Sequence, residues 1–285
     1  MRIAIIGSNG QIGNALVAEF QKAHEVFPLS HEEMDVCNFS HTRRVLTDAK
    51  PNFVINTAAF HKTDECEDNP DKSFLVNASA VRNLALVCKD IGATLVHFST
   101  DYVFDGRLGR PYTESDAPNP INVYGVSKLS GELFVRNITA RHFIIRPSGV
   151  FGKAKKEGKE NFVQKMIRLA SSGSELRVVD DQFFSPTYAR DLASKLAELI
   201  ATEKYGTYHI TNSGSCSWFE FAREILKIAG LRNEVKPVKS SEFGAKAARP
   251  MFSVLESESL PAAGLSKMRP WREALKDYIK EIRSG

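Results

Sequence analysis

Tyr124 and Lys128 stand four positions apart in a stretch with helical spacing. Residues at i and i+4 lie on one face of a helix, so this phenol and this ammonium face the same way. The apolar run 93–98 predicts a buried strand that ends at the hydroxyls of Ser99 and Thr100. We expect the lysine charge to favour phenolate and lower the pKa of the tyrosine, while a hydroxyl orients a substrate oxygen. Together these groups predict a site for proton transfer.

A tyrosine–lysine pair gains meaning when a dinucleotide site lies on the same sheet. Residues 2–6 form a short β-branched run, Gly7, Gly10 and Gly13 follow it, and helical periodicity continues from residue 15. Glycines permit a tight turn and let the backbone approach a pyrophosphate, which a helix N-terminus stabilises. The spacing Gly-x-x-Gly-x-x-Gly therefore predicts nucleotide binding, and the alternative is a purely structural turn between strand and helix.

The end of the second predicted strand, 25–29, bears on the choice of cofactor. A NAD-specific site favours an acid at this point, because a carboxylate binds the ribose 2′-hydroxyl. The chain has Ser30 and His31 there instead, so NADP(H) is permitted and not required. Asp35 follows in a loop, where its carboxylate could bond the adenine amino group or cap a turn.

Five acids and a buried amide follow the third predicted strand, 53–59. The acids are Asp64, Glu65, Glu67, Asp68 and Asp71. They cluster at the start of a predicted helix (71–91), which favours a solvated helix start over a metal site. Asn77 lies inside that helix among apolar residues, so its amide needs partners. We expect it to hold the active-site loop or a water.

Strands alternate with helical patterns, which predicts an α/β fold with a doubly wound parallel sheet of Rossmann type. Ligands bind such sheets at the carboxyl ends of the strands, where Gly7, Ala59 and Thr100 all fall. We predict that residues 1–152 form an NAD(P)-binding domain that carries the tyrosine and the lysine. Residues 153–285 then form mainly a smaller substrate-binding lobe, with some segments returning to the Rossmann core.

Composition argues against several kinds of partner. The net charge of +4 is spread along 285 residues, and the basic cluster at 153–156 is interrupted, so nucleic acid is not expected. Four widely spaced cysteines predict reduced thiols in a cytoplasmic chain. The first residue runs straight into a strand, and no apolar run approaches the roughly 18 residues of a membrane span. Neither a signal peptide nor a membrane partner is therefore expected.

With these motifs in place, the chain resembles the extended short-chain dehydrogenase/reductase superfamily and, within it, the dTDP-4-dehydrorhamnose reductase family. The matching motifs run in order along nearly the whole chain: GQIG at 10–13, NTAA at 56–59, STDYVFDG at 99–106, NVYGVSK at 122–128, DQ at 181–182 with PT at 186–187, and RP at 249–250 with SVL at 253–255. The resemblance implies an NADPH- or NADH-dependent oxidoreductase. Its substrate would be a nucleotide-linked 4-keto-6-deoxyhexose, as in dTDP-L-rhamnose synthesis.

The resemblance also implies roles for individual residues. Tyr124 would donate a proton to the keto oxygen at C4, Lys128 would bond the nicotinamide ribose and hold the tyrosine pKa down, and Thr100 would bond the same keto oxygen. Further cofactor contacts would come from Gly7, Asn9, Gly10, Gln11, Ile12, Ser30, Asp35, Val36, Ala58, Ala59, Phe60, His61, Asn77 and Phe98. The substrate would contact Thr100, Asp101, Tyr102, Tyr124, Asn161, Phe162, Gln182 and Arg249. The guanidinium of that arginine suits a diphosphate.

The chain departs from the family pattern at one informative place. Where the family often has Arg-Thr-Ser-Trp, this chain has Arg-Pro-Ser-Gly, ending at Gly149. A tryptophan that would pack on the sugar is therefore missing, which makes a less common deoxysugar a plausible substrate. The glutamates that hold a dimer-bridging metal in some members have no match here, so no metal is expected. A homodimer is retained as an expectation.

Two alternative functions remain open. Some close relatives are non-catalytic NADP-binding regulatory subunits of a methionine adenosyltransferase, in which the fold serves as an interaction module. The intact set of Thr100, Tyr124 and Lys128, together with Asp101, favours an enzyme. Epimerases and dehydratases of nucleotide sugars use the same tyrosine–lysine pair. A dehydratase needs an acid and a base beside the strand hydroxyl, and no glutamate follows Asp101.

Overall fold

The computed structural model describes residues 1–155 and 160–284. The last residue of the basic cluster at 153–156 therefore lies outside the described residues. The strands are β1 (Arg2–Ile6), β2 (Glu25–Leu29), β3 (Phe53–Asn56), β4 (Thr94–Phe98), β5 (His142–Arg146), β6 (Val150–Phe151), β7 (Leu176–Val179), β8 (Phe183–Phe184), β9 (Thr187–Tyr188), β10 (Gly206–His209), β11 (Cys216–Ser217) and β12 (Val235–Val238).

Helices connect and cover these strands. They are α1 (Gln11–Phe20), α2 (Phe39–Ala49), α3 (Thr63–Asp68), α4 (Pro70–Phe74), α5 (Ala80–Ile91), α6 (Val123–Ile138), α7 (Phe162–Ser171), α8 (Ala189–Ile200), α9 (Trp218–Ala229), α10 (Ser240–Phe243), α11 (Ser259–Ala262) and α12 (Trp271–Arg283). A π-helical turn (Leu75–Ser79) joins α4 to α5, and a 3₁₀ turn (Asp101–Val103) follows β4. The predicted helix at 71–91 is thus one helical stretch with a wider turn inside it.

Six parallel strands form the central sheet, in the order β2-β1-β3-β4-β5-β10. The strand order reverses at β1, and the crevice beside such a reversal is where doubly wound sheets bind their ligands. The predicted doubly wound parallel sheet is confirmed. Strand β3 is shorter than predicted, because the Asn56 side chain accepts a hydrogen bond from the amide of Ala58 at 3.1 Å and turns the chain out of the ladder.

Alternating side chains of the strands feed two apolar layers, one on each face of the sheet. Ile3 and Ile5 pack towards α1 and α8, whereas Ala4 and Ile6 pack towards α2 and α5. Every one of these four side chains is buried. Burial on both faces explains why the strands read as continuous apolar runs in the sequence.

A further apolar cluster forms beside the sheet from α7, α9 and α12 together with the short strand pairs β7–β12 and β8–β11. Phe221 and Trp271 are among its fully buried side chains. Segments after residue 152 also contribute to the central sheet, since β10 pairs with β5 and α8 packs on α1. The division of the chain at residue 152 stays a prediction.

Candidate active site

A cleft of about 790 Å³ opens at the carboxyl ends of β1, β3 and β4. Its floor carries the glycine turn, the start of α6 and the 3₁₀ turn, and its far wall comes from the second half of the chain. Twelve of the residues predicted for the site line it: Gly10, Gln11, Ile12, Ala59, His61, Phe98, Thr100, Asp101, Tyr102, Tyr124, Lys128 and Gln182.

The glycine turn packs too tightly for side chains at two positions. Gly7 has φ +79°, and a Cβ there would lie 2.7 Å from the Thr57 hydroxyl. A Cβ on Gly13 would lie 2.2 Å from the Gly7 carbonyl, so α1 begins directly against the turn. The first N–H groups of a helix have no acceptor within it. Those of α1 point to the cleft, where Gly10 and Gln11 lie, and this cradle fits a dinucleotide pyrophosphate.

The loop after β3 is held from behind by Asn77. Its Oδ1 accepts from the Phe60 amide at 3.0 Å, and its Nδ2 donates to the Phe60 carbonyl at 2.9 Å and to the Ser127 hydroxyl at 3.0 Å. The side chain is fully buried. Asn77 therefore positions the loop, as one of its two expected roles required, and it lies behind the cleft wall instead of facing a cofactor.

An acid does lie at the end of β2, contrary to the expectation from Ser30 and His31. The Glu33 carboxylate folds back and accepts from the Ser30 amide at 2.6 Å. Asp35 lies farther along this loop, where its Oδ1 caps a turn by accepting from the Cys37 amide at 2.9 Å. The acid of a NAD-specific site is expected at position 30 or 31, whereas the turn brings Glu33, the third residue after Ser30, back to the strand end.

Helix α6 places Tyr124 and Lys128 in the cleft. Asn122 caps the helix, with its Oδ1 accepting from the Gly125 amide at 2.8 Å. Gly125 allows the helix to touch the 3₁₀ turn, because a Cβ there would lie 2.1 Å from the carbonyl of Tyr102. Lys128 is 1% exposed, and its Nζ donates to the Phe98 carbonyl at 2.5 Å.

Burial dominates the electrostatics of this pair. Tyr124 is partly exposed to the cleft, yet its hydroxyl lies among protein atoms, with the side chain of Thr100 nearby. Burial raises the pKa of Tyr124, which corrects the expectation that the lysine lowers it. Burial lowers the pKa of Lys128 to about 8, although nearby Glu132 opposes this shift. The Lys128 ammonium is turned to the Phe98 carbonyl, and this orientation is the physical reason why it does not lower the tyrosine pKa as expected.

Asp101 collects three hydroxyl groups. Its carboxylate accepts from Thr100 at 3.1 Å, from Ser148 at 2.8 Å and from Ser253 at 2.6 Å. The side chain is 5% exposed, and burial raises its pKa despite these hydrogen bonds. Ser148 and Ser253 lie 47 and 152 positions from Asp101 along the chain, so no local pattern in the sequence indicates these contacts.

Asn161 and Phe162 make structural contacts and do not line the cleft, and their predicted substrate contacts stay a prediction. Asn161 caps α7 in a capping box with Gln164, and its amide donates to the Gly152 carbonyl at 2.9 Å and to the Tyr278 hydroxyl at 2.6 Å. The ring of Phe162 packs against Trp218 with centroids 4.8 Å apart. Trp218 itself lines the cleft and was missed.

Arg249 forms an ion pair with Asp64 at 2.8 Å and also donates to the Ala247 carbonyl at 3.1 Å. Two more acids of α3, the helix that carries Asp64, bind other segments of the chain. Glu67 accepts from the Val123 amide at 2.9 Å, and Asp68 pairs with Lys246. The prediction that these acids form a solvated helix start is therefore incomplete, because Asp64, Glu67 and Asp68 each bind a residue of another segment. Within residues 1–155 and 160–284, no group of three or more His, Cys, Asp or Glu side chains could hold a metal ion.

A buried ion pair lies beneath the site. Glu132 receives two hydrogen bonds from Arg146, at 2.8 and 2.6 Å, and both side chains are at most 1% exposed. Glu132 is one helical turn beyond Lys128. The arginine inside an apolar strand was the available sequence signal, because a charge at such a position requires a buried partner.

Comparison with known proteins places these observations in a family. The model of the RmlD substrate binding domain matches residues 1–284. The chain is 40% identical to the spore coat polysaccharide biosynthesis protein SpsK of Bacillus subtilis, over all of this chain and 99% of the relative. It is 35% identical to dTDP-4-dehydrorhamnose reductase of Burkholderia thailandensis, over the whole of both chains.

Solved structures agree. The structure of dTDP-4-dehydrorhamnose reductase from Bacillus anthracis in complex with NADP has a TM-score of 0.95 and 41% identity, covering 98% of this chain and 99% of that one. UDP-glucose 4-epimerase from Thermotoga maritima, at 19% identity and a TM-score of 0.84, shares the fold. Along the described residues, no helix is long and apolar enough to cross a membrane. The chain belongs to the RmlD substrate binding domain family, the dTDP-4-dehydrorhamnose reductase family that its motifs indicated.

Proposed function

We propose that this protein is an NAD(P)H-dependent reductase of a nucleotide-linked 4-keto-6-deoxyhexose, with dTDP-4-dehydrorhamnose as the first candidate substrate. One observation carries the proposal. The side chains of Tyr124 and Thr100 lie in the same cleft as the glycine cradle at the start of α1. Full-length relatives at 35–36% identity are named for this reaction, which supports the same substrate class.

The residues in the cleft suit both the hydride transfer and the proton transfer of such a reaction. A bound nicotinamide dinucleotide supplies the hydride. The raised pKa keeps Tyr124 protonated at neutral pH, so its hydroxyl can pass a proton to the keto oxygen that receives charge. Lys128 remains largely protonated at neutral pH, and its ammonium is proposed to bond the nicotinamide ribose. Tyr102, Gln182 and Arg249 are proposed to hold the nucleotide-sugar side.

The cofactor residues are proposed as a group from their places around the cleft. Backbone of the glycine turn would take the pyrophosphate, and the loop held by Asn77 would border the ribose and nicotinamide. The members are Gly7, Asn9, Gly10, Gln11, Ile12, Ser30, Asp35, Val36, Ala58, Ala59, Phe60, His61 and Phe98.

A substrate panel tests the proposal. Purified protein is mixed with NADPH and with dTDP-, GDP- and CDP-linked 4-keto-6-deoxy sugars, and the loss of NADPH absorbance is followed. We expect oxidation with the dTDP series. Tyr124→Phe should keep the fold and lose about 10²- to 10⁴-fold in turnover, whereas Tyr205→Phe, on a half-exposed ring away from the cleft, should leave turnover unchanged.

The rival function has a distinct result. If no sugar is reduced while NADPH still binds tightly, the reductase proposal fails and a regulatory subunit takes its place. A pull-down for a partner enzyme would then follow, and Arg249→Ala should leave such a partner bound.

Two further properties belong to this proposal. A cytoplasmic location is supported by four cysteines that are all free thiols. A homodimer is supported by apolar side chains exposed along α6, namely Val126, Leu133 and Phe134. Sedimentation of the purified protein measures the oligomeric state, and a monomer across the micromolar range would contradict the dimer.

A further inference from the structure

Gly149 makes room for an aromatic ring. It has φ +49°, and a Cβ at this position would lie 2.2 Å from both Cδ2 and Cε2 of Phe184. Since real contacts of this kind are longer than 3 Å, the ring of Phe184 occupies the space that any side chain at 149 would need. Gly149 and Phe184 therefore depend on one another.

Phe184 belongs to a stack that faces the cleft. Its ring lies parallel to that of Trp218, with centroids 4.0 Å apart and planes 20° apart. Both residues line the cleft, and Phe162 supports Trp218 from behind. The pairing of β8 with β11 and a hydrogen bond from the Trp218 amide to the Gln182 carbonyl at 3.3 Å hold the two rings in place.

The stack lies next to the reacting groups. Ser148, which precedes Gly149, donates to Asp101 at 2.8 Å, and the amide of Ser185, which follows Phe184, donates to Ser148 at 3.4 Å. Asp101 in turn accepts from Thr100, which lies in the cleft with Tyr124. The aromatic surface therefore adjoins the place where a keto group would react.

We propose that Phe184 and Trp218 bind the apolar face of the deoxyhexose, with its C6 methyl group, and that Gly149 is the residue that permits this arrangement. The inference rests on the proposed function. A hexose without a 6-hydroxyl presents C–H groups and a methyl group, which pack well on aromatic faces. The stack supplies the sugar contact that a glycine at 149 cannot make.

Steady-state kinetics test the contact. Phe184→Ala and Trp218→Ala should each raise KM for the nucleotide sugar about tenfold, the usual effect of removing such an apolar contact, and leave the NADPH dissociation constant unchanged. Phe219→Ala is the matched control, because this next residue of α9 faces away from the cleft. Unchanged KM values in an active enzyme would refute the contact and leave the proposed function standing.

A double-mutant cycle tests the role of Gly149. Gly149→Ala alone should lower the melting temperature, since its Cβ displaces the Phe184 ring. Adding Phe184→Ala should recover much of that loss, because the clash disappears, while KM stays high. Simple addition of the two stability effects would show that the residues are independent and would overturn this part of the proposal.

Fluorescence supplies a readout that does not need turnover. The chain has two tryptophans, and Trp271 is buried in the second cluster, so ligand-dependent changes should come from Trp218. We expect dTDP-rhamnose to change the emission and dTDP alone to change it little, and Trp218→Phe to abolish the response. A full response to dTDP alone would assign the stack to the base instead of the sugar. If the wild-type protein oxidises NADPH with none of the sugars, by contrast, that result would count against the proposed function.

Discussion

Thr100 donates its hydroxyl proton to Asp101 across 3.1 Å. A threonine has one such proton, so while Asp101 is ionised Thr100 acts as an acceptor towards the amide of Tyr102, at 3.2 Å. In this arrangement the Thr100 hydroxyl is held in place beside Tyr124 in the cleft. A direct bond from Thr100 to the keto oxygen, as the family resemblance implies, requires the hydroxyl to turn away from Asp101.

Asp101→Asn should therefore reduce turnover by about 10²-fold, because an amide places N–H groups against hydroxyls that need an acceptor. The raised pKa of Asp101 predicts an acid limb in the kcat/KM profile above the ordinary aspartate range. That limb should vanish in the variant. A variant with normal turnover and an unchanged profile would exclude this role, and Ser115→Ala, on an exposed hydroxyl, serves as control.

Lys128 should leave a signature in the pH dependence of stability. Its folded pKa of about 8 lies below the ordinary lysine value of 10.5, so between these values the unfolded chain binds one more proton. The free energy of unfolding then rises with pH across this window, by at most about 3 kcal/mol. Wild type should gain stability relative to Lys128→Met between pH 7 and 10 in urea unfolding.

The matched control for that comparison is Lys165→Met, which removes an exposed lysine of α7. Its stability difference from wild type should stay level over the same pH range. If the stability difference between wild type and Lys128→Met also stays constant with pH, burial does not lower the pKa of Lys128.

Gly125→Ala should displace the catalytic helix. The new methyl would lie 2.1 Å from the Tyr102 carbonyl, so α6 must move outwards and carry Tyr124 with it. We expect a loss of about 1–3 kcal/mol in the free energy of unfolding together with lower turnover. Asn137→Ala, which changes an exposed side chain of the same helix, is the control. Normal turnover in Gly125→Ala would show that the close approach is unnecessary for catalysis.

Glu33 should influence cofactor preference. Its carboxylate is bonded to the Ser30 amide at 2.6 Å, where a ribose 2′-phosphate would approach like charge. Glu33→Gln should therefore tighten NADPH binding relative to NADH binding by about three- to tenfold. Titration of both cofactors measures it, with the exposed neighbour Glu32→Gln as control. An unchanged ratio would place the ribose away from Glu33.

The amino-acid sequence by itself determined the sheet and the elements that carry the tyrosine and lysine. The β-branched run 2–6 and the predicted strand 25–29 coincide to the residue with β1 and β2. Periodicity, caps and the glycine turn are local signals, and an i, i+4 pair shares a helix face wherever the helix packs. Family motifs added the reaction class for the same reason, since they are short runs of sequence.

Only the tertiary structure decided how the side chains are used. The partners of Asp101, the ion pair of Arg249 with Asp64 across 185 positions, and the stack of Phe184 on Trp218 join segments far apart in the chain. The pKa values of Tyr124 and Lys128 likewise depend on how much protein surrounds them. Desolvation and hydrogen-bond partners are set by three-dimensional neighbours, and neither spacing nor residue type specifies those neighbours.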